Sequence, residues 1–289
     1  MNYDTLTSPK DCRPTPEDTM ISSLPDLVAP LSEAEFLERL RTRAIAHQPG
    51  SAAGRFADLA GWPALLGLLQ DGSLGPGDFR VRARDELVPE VFYVAHGKAR
   101  PDAVTALLDK GASVIFRHLE RHLPALGTLC ADIARRTGES CFVDAIVQTG
   151  PGGALGFHVD VEDMSVVQLE GAKRWRIHDE RIVHPVDTPA VAPLPDRAPL
   201  FDRVLQPSDT LLVPSGFTHQ CDNASGASGL ARSVHLSFCL MPETGYHAVR
   251  ALLPRLADDP LFRAPLTRTA DPAARAALEA QLQIGRAHV

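Results

Sequence analysis

Residues 150–179 read GPGGALGFHVDVEDMSVVQLEGAKRWRIHD, and they carry the strongest structural signal in the chain. A glycine-rich approach leads to His158 and Asp160, and two runs of mixed apolar and polar residues follow, separated by Gly171. Because side chains alternate along a strand, His158 and Asp160 are predicted to lie on one face of one strand. A second histidine from a distant strand would complete a site of two histidines and one carboxylate, which suits non-haem Fe(II).

The remaining ligand is predicted in residues 207–220, PSDTLLVPSGFTHQ, which indicate a turn, a buried strand and a bend that delivers His219. His235, on the following segment SVHLSF, is the main alternative because alternation could also point its ring inward. His178 and His184 are weaker candidates, since they lie at a strand end or in the proline-rich loop beyond it. An H-x-D pair alone is a weak signal, and its ordinary interpretation is a surface pair on a strand.

From Ser140 onward the chain consists of short segments rich in β-forming residues: CFVDAIVQT, SVVQLEG, KRWRIHD, RVLQ, DTLLVP and SVHLSFCLM. Glycine, proline and aspartate turns separate them. Many short strands joined in this way indicate a double-sheet jelly roll. The predicted fold is therefore mainly β with helical flanks, around a double-stranded β-helix core.

Four regions are predicted along the chain. Residues 1–30 are rich in Pro, Ser, Thr and Asp and are expected to be a flexible leader. Residues 31–139 form a helical and strand region that supports the barrel, and within it FRVRARD, residues 79–85, alternates as a strand does. Residues 140–242 form the barrel core, and residues 243–289 a helical tail interrupted by prolines.

Helical patterns lie mainly before the β-rich core. LSEAEFLERLRTRAIAH, residues 31–47, has apolar residues near one face and a predicted capping box of Ser32 with Glu35. PALLGLLQDG, residues 63–72, has proline at its start and glycine after its end. Residues 102–136 also show helical spacing, interrupted by a glycine and a proline.

Composition narrows the class of protein. The chain has 289 residues, of which 44% are hydrophobic, so it can bury one sizeable core. It has no apolar run of about 20 residues and no secretory signal pattern, so a cytoplasmic location and no membrane partner are expected. A net charge of -7 makes nucleic acid a poor partner. The five cysteines form no C-x-x-C pair and are expected to be reduced.

Three motifs together resemble one known family. H-V-D at residues 158–160, Q-L-E-G-A-K-R-W at 168–175 and P-S-G-F-T-H at 214–219 are similar to motifs of the JmjC-type cupin oxygenases that use Fe(II) and 2-oxoglutarate. Within that family the chain looks most like the ribosomal oxygenases and asparaginyl hydroxylases. The resemblance covers roughly residues 60–240, and it implies a cupin fold with His158, Asp160 and His219 as the metal ligands.

The same resemblance implies a binding site for 2-oxoglutarate. It assigns the binding of the distal carboxylate to Lys173. An ammonium has three donors and can satisfy one carboxylate when a hydroxyl helps. Trp175 is expected to share the inner face with Lys173, and its ordinary role is a core aromatic. Further candidates for contact with the co-substrate lie on neighbouring strands: Gln148, Thr149, Ser233 and His235.

The implied reaction is oxidative decarboxylation of 2-oxoglutarate to succinate, coupled to hydroxylation of a C–H bond. The leading hypothesis is a dioxygenase that hydroxylates a protein or peptide side chain. A tailoring oxygenase acting on a small molecule or a biosynthetic peptide precursor is the second hypothesis, because the tail shows little of the extra modules expected from ribosomal oxygenases. A non-catalytic metal-binding cupin is the third. A homodimer through the helical flanks is a further expectation.

Overall fold

The computed structural model describes residues 21–50, 54–83, 86–150, 152–153, 156–186, 196–224, 232–263 and 271–282. The chain divides into two compact units, Met1–Pro242 and Glu243–Val289. The first unit contains every strand of the described residues and the candidate site. Among the described residues, no helix combines the length and the apolar composition that a transmembrane span requires.

The helices of the described residues are, in chain order, α1 (Leu24–Val28), α2 (Glu33–Thr42), α3 (Trp62–Gln70), α4 (Pro101–Asp109), α5 (Pro124–Thr137), α6 (Gly245–Asp258), α7 (Pro260–Arg263) and α8 (Pro272–Leu282). The capping box predicted for α2 is confirmed, because the Ser32 hydroxyl accepts from the Glu35 amide and the Glu35 carboxylate accepts from the Ser32 amide at 2.8 Å. The predicted proline-initiated helix is α3, which begins at Trp62.

The strands are β1 (Ala46–Gln48), β2 (Phe79–Ala83), β3 (Glu86–Leu87), β4 (Val94–Ala95), β5 (Lys98–Ala99), β6 (Ser113–Phe116), β7 (Ser140–Gln148), β8 (Gly152–Gly153), β9 (Asp163–Glu170), β10 (Lys173–Arg181), β11 (Phe201–Leu205), β12 (Thr210–Val213), β13 (Phe217–Asn223) and β14 (Ser233–Met241). Within the described residues they form a large antiparallel sheet, β1-β12-β9-β14-β7-β6-β2-β3, and a small one, β11-β10-β13-β8. A separate hairpin pairs β4 with β5.

Two apolar layers hold the first unit together. One lies between the large sheet and the helices, where Val147 of β7 and Leu236 of β14 belong to the same buried cluster as Leu65 of α3 and Leu129 of α5. Each such fully buried side chain contributes roughly 1.5–3 kcal/mol of transfer free energy. The helices therefore cover the outer face of the large sheet and restrict its movement.

The second apolar layer lies between the two sheets. Val166 of β9 and Val213 of β12 pack there against Trp175 and Ile177 of β10 and Phe217 of β13. Alternation along β7 and β14 sends the residues between those of the outer layer into this interior. The predicted double-sheet barrel is confirmed, and its interior is where charged and polar side chains can converge.

Two segments differ from the sequence predictions. Residues 113–116, SVIF, share the helical spacing predicted for 102–136, yet they form β6 and pair with both β2 and β7. Val114 and Phe116 are fully buried there, and tertiary pairing overrides a short periodic pattern. Of the predicted flexible leader, residues 1–20 lie outside the described residues, whereas residues 24–28 form α1, whose Leu24 and Leu27 are fully buried in the outer layer.

The second unit is helical within its described residues. In α6, the side chains of Tyr246, Val249, Leu252 and Leu253 are at least 44% exposed. Pro254 lies inside this helix and removes one backbone donor. The helical tail predicted after residue 242 thus has regular structure in α6, α7 and α8.

Candidate metal centre

The structure brings together the side chains of His158, Asp160 and His219. One ligand atom from each lies within 4.8 Å of the others. Asp160 Oδ2 is 3.3 Å from His219 Nε2 and 3.7 Å from His158 Nε2. The ring centroids of the two histidines are 4.2 Å apart. This is the two-histidine, one-carboxylate set that leaves coordination positions open for other ligands.

Backbone carbonyls fix the tautomer of both imidazoles. His158 Nδ1 is 2.9 Å from the carbonyl of Gly156, and His219 Nδ1 is 3.0 Å from that of Phe217. A carbonyl oxygen only accepts, so each Nδ1 carries a proton, and Nε2 is the nitrogen of each ring that can bind a metal once it is deprotonated. These outer hydrogen bonds orient metal-binding histidines in the way that known sites do. The donor set therefore fits a divalent transition metal.

Electrostatics favour neutral imidazole at His158 and an ionised carboxylate at Asp160. Burial, assisted by the neighbouring His219, lowers the pKa of His158 to about 4. Burial opposes charge on Asp160, yet the hydrogen bond from His219 lowers its pKa. Burial likewise opposes charge on His219, and the same bond raises its pKa. A divalent cation between the three side chains would replace the proton that His219 donates to Asp160, because metal ligands bind in their deprotonated form.

His158 and Asp160 lie on a segment less regular than the single strand predicted. His158 makes only an isolated bridge with His219, in which each amide donates to the other residue's carbonyl at 3.0 and 2.9 Å. The carbonyl of Asp160 accepts from the Gly216 amide at 2.8 Å. These three backbone hydrogen bonds tie the two ligand segments together directly, so a regular strand is not needed to hold the ligands in place.

His219 lies on β13 and not in the predicted bend. The bend is the turn at residues 214–216, and β13 begins directly after it at Phe217. The Asp163 carboxylate accepts from the Ser215 amide at 2.6 Å, and the Arg43 guanidinium donates to the Ser215 carbonyl. Asp163 is buried. It anchors the turn that places His219.

Gly216 is expected to be irreplaceable in this turn. Its φ is +81°, and a Cβ would lie 2.0 Å from the carbonyl oxygen of Ile182. Gly216→Ala should therefore lower the free energy of unfolding by at least about 2 kcal/mol and weaken metal binding, because left-handed backbone and a rigid clash combine. Chemical denaturation and metal titration would measure both effects.

Gly67→Ala is the matched control for that substitution. Gly67 lies inside α3, and a Cβ there would meet no atom within 4 Å. Alanine is the better helix former by roughly 1 kcal/mol, so this variant should be as stable as the wild type or more stable. Equal stability of Gly216→Ala and Gly67→Ala would show that the turn tolerates a side chain.

The metal ligands open into a cavity of about 160 Å³ between the two sheets. Its walls come from both sheets, from the metal-ligand segment and from β6: Ile115, Phe142, Asp144, Ile146, His158, Asp160, Glu162, Met164, Trp175, His219, Cys221, His235, Ser237 and Cys239. Trp175 stacks on His219 at 5.9 Å between centroids and meets His235 edge-on at 5.4 Å. Trp175 is 2% exposed, which agrees with its predicted place in the interior.

Lys173 is the buried cation of this interior. It is 0% exposed, and its Nζ lies 2.8 Å from His235 Nδ1 and 3.2 Å from the carbonyl oxygen of Ile146. His235, the alternative third metal ligand, thus contacts Lys173, and the described three-residue ligand cluster does not include it. The next residue, Arg174, points outward as alternation predicts and pairs with Asp202 at 2.6 Å.

The other residues predicted near the co-substrate differ in placement. Gln148 and Ser233 are buried and pair in the register of β7 with β14, two residues along from the pair of Ile146 and His235, and the residues that line the cavity do not include them. The hydroxyl of Thr149 donates to the carbonyl of Leu108 at the end of α4, on the opposite face from Gln148. Thr149 is therefore not brought to the cavity.

The Q-L-E-G segment has a structural role that the sequence did not reveal. Gln168 is fully buried, and its Nε2 donates to the carbonyls of Glu170 at 2.8 Å and of Gly171 and Val234 at 3.3 Å. These bonds fasten the turn between β9 and β10 to β14. Gln168 thus fixes the start of the strand that carries Lys173.

The remaining histidine candidates lie away from the metal ligands. His178 is buried on β10, where its Nδ1 is 3.0 Å from the carbonyl of Arg197. His184 is exposed and has a positive φ of 49°. Neither contributes to the ligand cluster of the described residues.

Two acidic residues of the cavity were missed in the sequence. Glu162 lies two residues after Asp160, and burial together with the nearby Asp160 raises its pKa to about 7. Burial also raises the pKa of Asp144, whose carboxylate accepts from the His118 amide at 2.9 Å. Continuing the alternation of His158 and Asp160 by one step would have found Glu162. Asp144 required knowing which face of β7 points inward.

Comparison with protein families supports the motif-based resemblance. Residues 127–244 match the family model described as the JmjC domain. The matched residues include His158, Asp160, Lys173 and His219. The predicted resemblance is therefore confirmed for this segment.

Two curated relatives match parts of the chain. The bifunctional lysine-specific demethylase and histidyl-hydroxylase NO66 of Drosophila willistoni is 34% identical over 145 residues, which cover 47% of this chain and 18% of that protein. Ribosomal oxygenase 1 of Danio rerio is 29% identical over 140 residues, which cover 46% of this chain and 25% of that protein. The matches thus span a quarter or less of each relative's length.

A solved structure shares the architecture. YcfD, described as a ribosomal oxygenase from Escherichia coli in complex with cobalt and 2-oxoglutarate, matches with a TM-score of 0.54 at 16% identity. The match covers 87% of this chain and 66% of that chain. At such low identity the likeness concerns the fold, and it confirms the predicted mainly β barrel with helical flanks.

Proposed function

We propose, from the match of residues 127–244 to the family model described as the JmjC domain, that the chain is an Fe(II)- and 2-oxoglutarate-dependent dioxygenase that hydroxylates a protein or peptide side chain. The observation that carries the proposal is one interior that holds both a His, Asp, His ligand set and a buried lysine. A site with only the ligand set would fit many metals and reactions. A buried lysine beside the ligand set adds a binding group for an acidic co-substrate.

The metal site would be formed by His158, Asp160 and His219, whose ligand atoms all lie within 4.8 Å of one another. When bound there, Fe(II) supplies the dioxygen chemistry that couples conversion of 2-oxoglutarate to succinate and carbon dioxide with insertion of oxygen into a C–H bond. The protein holds the three ligands on one side, so the other coordination positions stay accessible from the cavity.

The chain's own residues bind and orient the co-substrate. Lys173 has no carboxylate partner among the described residues, although it is fully buried. An unpaired ammonium in such surroundings is unfavourable, and the distal carboxylate of 2-oxoglutarate would neutralise it. Trp175 and Ile146 provide an apolar wall that limits access of water. Thr149 is not part of this site, because its hydroxyl donates a hydrogen bond to the carbonyl of Leu108.

A protein or peptide substrate is supported by the relatives. One is described as a histidyl-hydroxylase and lysine-specific demethylase, and another as a ribosomal oxygenase. Both descriptions name proteins that act on macromolecules. The target side chain of the substrate is expected to enter this cavity, whose lining includes Asp144 and Glu162.

Labelled dioxygen would test the proposed function. Purified protein with Fe(II), 2-oxoglutarate and a cell extract separated into protein and small-molecule fractions should form succinate and transfer one labelled oxygen atom to a protein. Label appearing only in a small molecule would favour a tailoring oxygenase. If the wild type forms no more succinate than an Asp160→Ala control, the result would favour a non-catalytic metal-binding cupin.

The affinity for 2-oxoglutarate is expected to depend on pH through Lys173. Burial lowers the pKa of Lys173 to about 8. The groups that face it are the imidazole of His235 on β14 and the thiol of Cys221 on β13, and burial keeps both neutral, since it lowers the pKa of His235 and raises that of Cys221. Because only the ammonium attracts a carboxylate, affinity should be full below about pH 8 and fall by up to about tenfold per pH unit above it.

Calorimetric titration at several pH values, with Co(II) in place of iron, would measure this dependence. The monoacid 2-oxopentanoate has no distal carboxylate and serves as the control, because its affinity should not follow the ionisation of Lys173. If both keto acids lose affinity in parallel at alkaline pH, another group is responsible.

A further inference from the structure

We propose that His235 is a second binding group for the distal carboxylate of the co-substrate and that Lys173 fixes the tautomer in which its Nε2–H can donate. This inference rests on the proposed function, since it concerns how that site recognises a dicarboxylic acid. It assigns His235 a positioning and specificity role that is separate from metal binding.

The contact between the two side chains joins the two sheets. Lys173 begins β10 in the small sheet, and His235 lies on β14 in the large sheet. Their nitrogens, Nζ and Nδ1, are 2.8 Å apart, and the side chains are 0% and 1% exposed. A contact this short between fully buried nitrogens is a hydrogen bond with a defined direction.

That direction follows from the chemistry of an ammonium. Lys173 can only donate when it is charged, so His235 Nδ1 must carry the lone pair. A neutral imidazole then has its proton on Nε2. Burial and the adjacent ammonium lower the pKa of His235 well below its ordinary value, which agrees with a neutral ring at physiological pH. Trp175 meets the ring edge-on and restricts its rotation.

The Nε2–H of His235 is thereby available to a ligand. His235 lines the cavity, and no residue of the described chain accepts a hydrogen bond from its Nε2. Lys173 uses two of its three protons, one toward His235 and one toward Ile146. One ammonium proton and one imidazole proton remain, and they match the two oxygens of a single carboxylate.

Lys173 and His235 together can hold both oxygens of a carboxylate, which a single lysine does not do. A lysine is a point charge and does not hold both oxygens of a carboxylate, as the planar fork of arginine does. With the imidazole, two donors from different strands fix both oxygens, and the pair carries one positive charge to balance one negative charge. The site should therefore select keto acids with a distal carboxylate against monoacids of equal length.

A comparison of two ligands tests this role. His235→Phe keeps a ring of similar size and removes both nitrogens. With Co(II) in place of iron, calorimetry should show about tenfold weaker binding of 2-oxoglutarate and little change for 2-oxopentanoate. His235→Gln, which restores a donor, should recover part of the preference for the dicarboxylic acid.

His178→Phe is the matched control. His178 is another buried histidine of the barrel, but its Nδ1 contacts the Arg197 carbonyl and not Lys173. The ratio of the two affinities should stay at the wild-type value in this variant. Equal loss of both keto acids in His235→Phe would mean that His235 only fills the core, and it would overturn the inference.

The tautomer provides a readout that needs no ligand. Nitrogen NMR of the metal-free protein should show His235 neutral and protonated at Nε2 near neutral pH. An Nδ1-protonated ring or an imidazolium would contradict the proposal. These outcomes differ from failure of the proposed function, which would appear as a wild-type protein that does not bind 2-oxoglutarate at all.

Discussion

Asp160→Ala is expected to lose metal binding and turnover together, with kcat/KM falling by more than about a hundredfold. Loss of groups that merely orient a ligand typically costs 10–100-fold, so loss of a ligand should cost more. Asp160 supplies the only carboxylate of the described ligand cluster and lies within 3.7 Å of both histidine Nε2 atoms. Without it, two neutral imidazoles remain to hold a divalent cation.

Equilibrium dialysis against Co(II) and succinate formation with Fe(II) would measure the two losses. Asp179→Ala, which removes an exposed carboxylate from β10, is the control and should keep its metal. The same dialysis decides between the two histidines considered for the third ligand. His219→Ala should lose the metal, whereas His235→Phe should retain it. Full activity of Asp160→Ala would refute the assignment.

Lys173→Met is expected to raise the KM for 2-oxoglutarate by about a hundredfold while metal binding is retained. Hydrogen bonds to charged groups contribute about 1.5–3 kcal/mol, and the methionine keeps a similar length without the charge. Succinate formation at increasing 2-oxoglutarate would measure the change. Lys98→Met, which alters an exposed lysine of β5, should leave the KM unchanged.

The stability of Lys173→Met separates a lost contact from a damaged fold. A buried charge without a partner is costly, so its replacement by an apolar side chain should leave the melting temperature equal or raise it. A variant that melts at a lower temperature and loses affinity for both 2-oxoglutarate and 2-oxopentanoate would point to disrupted packing. An unchanged KM would remove Lys173 from the co-substrate site.

Much of the site could be predicted from local sequence because its parts lie in three compact motifs. His158 and Asp160 are two residues apart, and Lys173 follows on the strand after the Gly171 turn. His219 required a choice between two histidines that alternation alone could not make. The barrel was also predictable, because short segments between turn residues indicate strands even when the pairing of those strands is unknown.

The parts that were missed depend on contacts between distant segments. Residues 113–116 form a strand because β2 and β7 lie on either side, which their spacing does not reveal. Asp163 is buried because the turn before His219 needs its carboxylate. The bond between Lys173 and His235 joins residues 62 positions apart in two different sheets. No local pattern contains these pairings.

The central claim is that one interior binds a divalent metal and a dicarboxylic keto acid together. Anaerobic titration of the protein with Fe(II) and then 2-oxoglutarate tests it most directly, because chelation of iron by the keto acid produces a visible charge-transfer band. The account predicts a band that appears only with both components, saturates at one equivalent of each and is absent in Asp160→Ala. A protein that binds Fe(II) but develops no band with excess 2-oxoglutarate would contradict it.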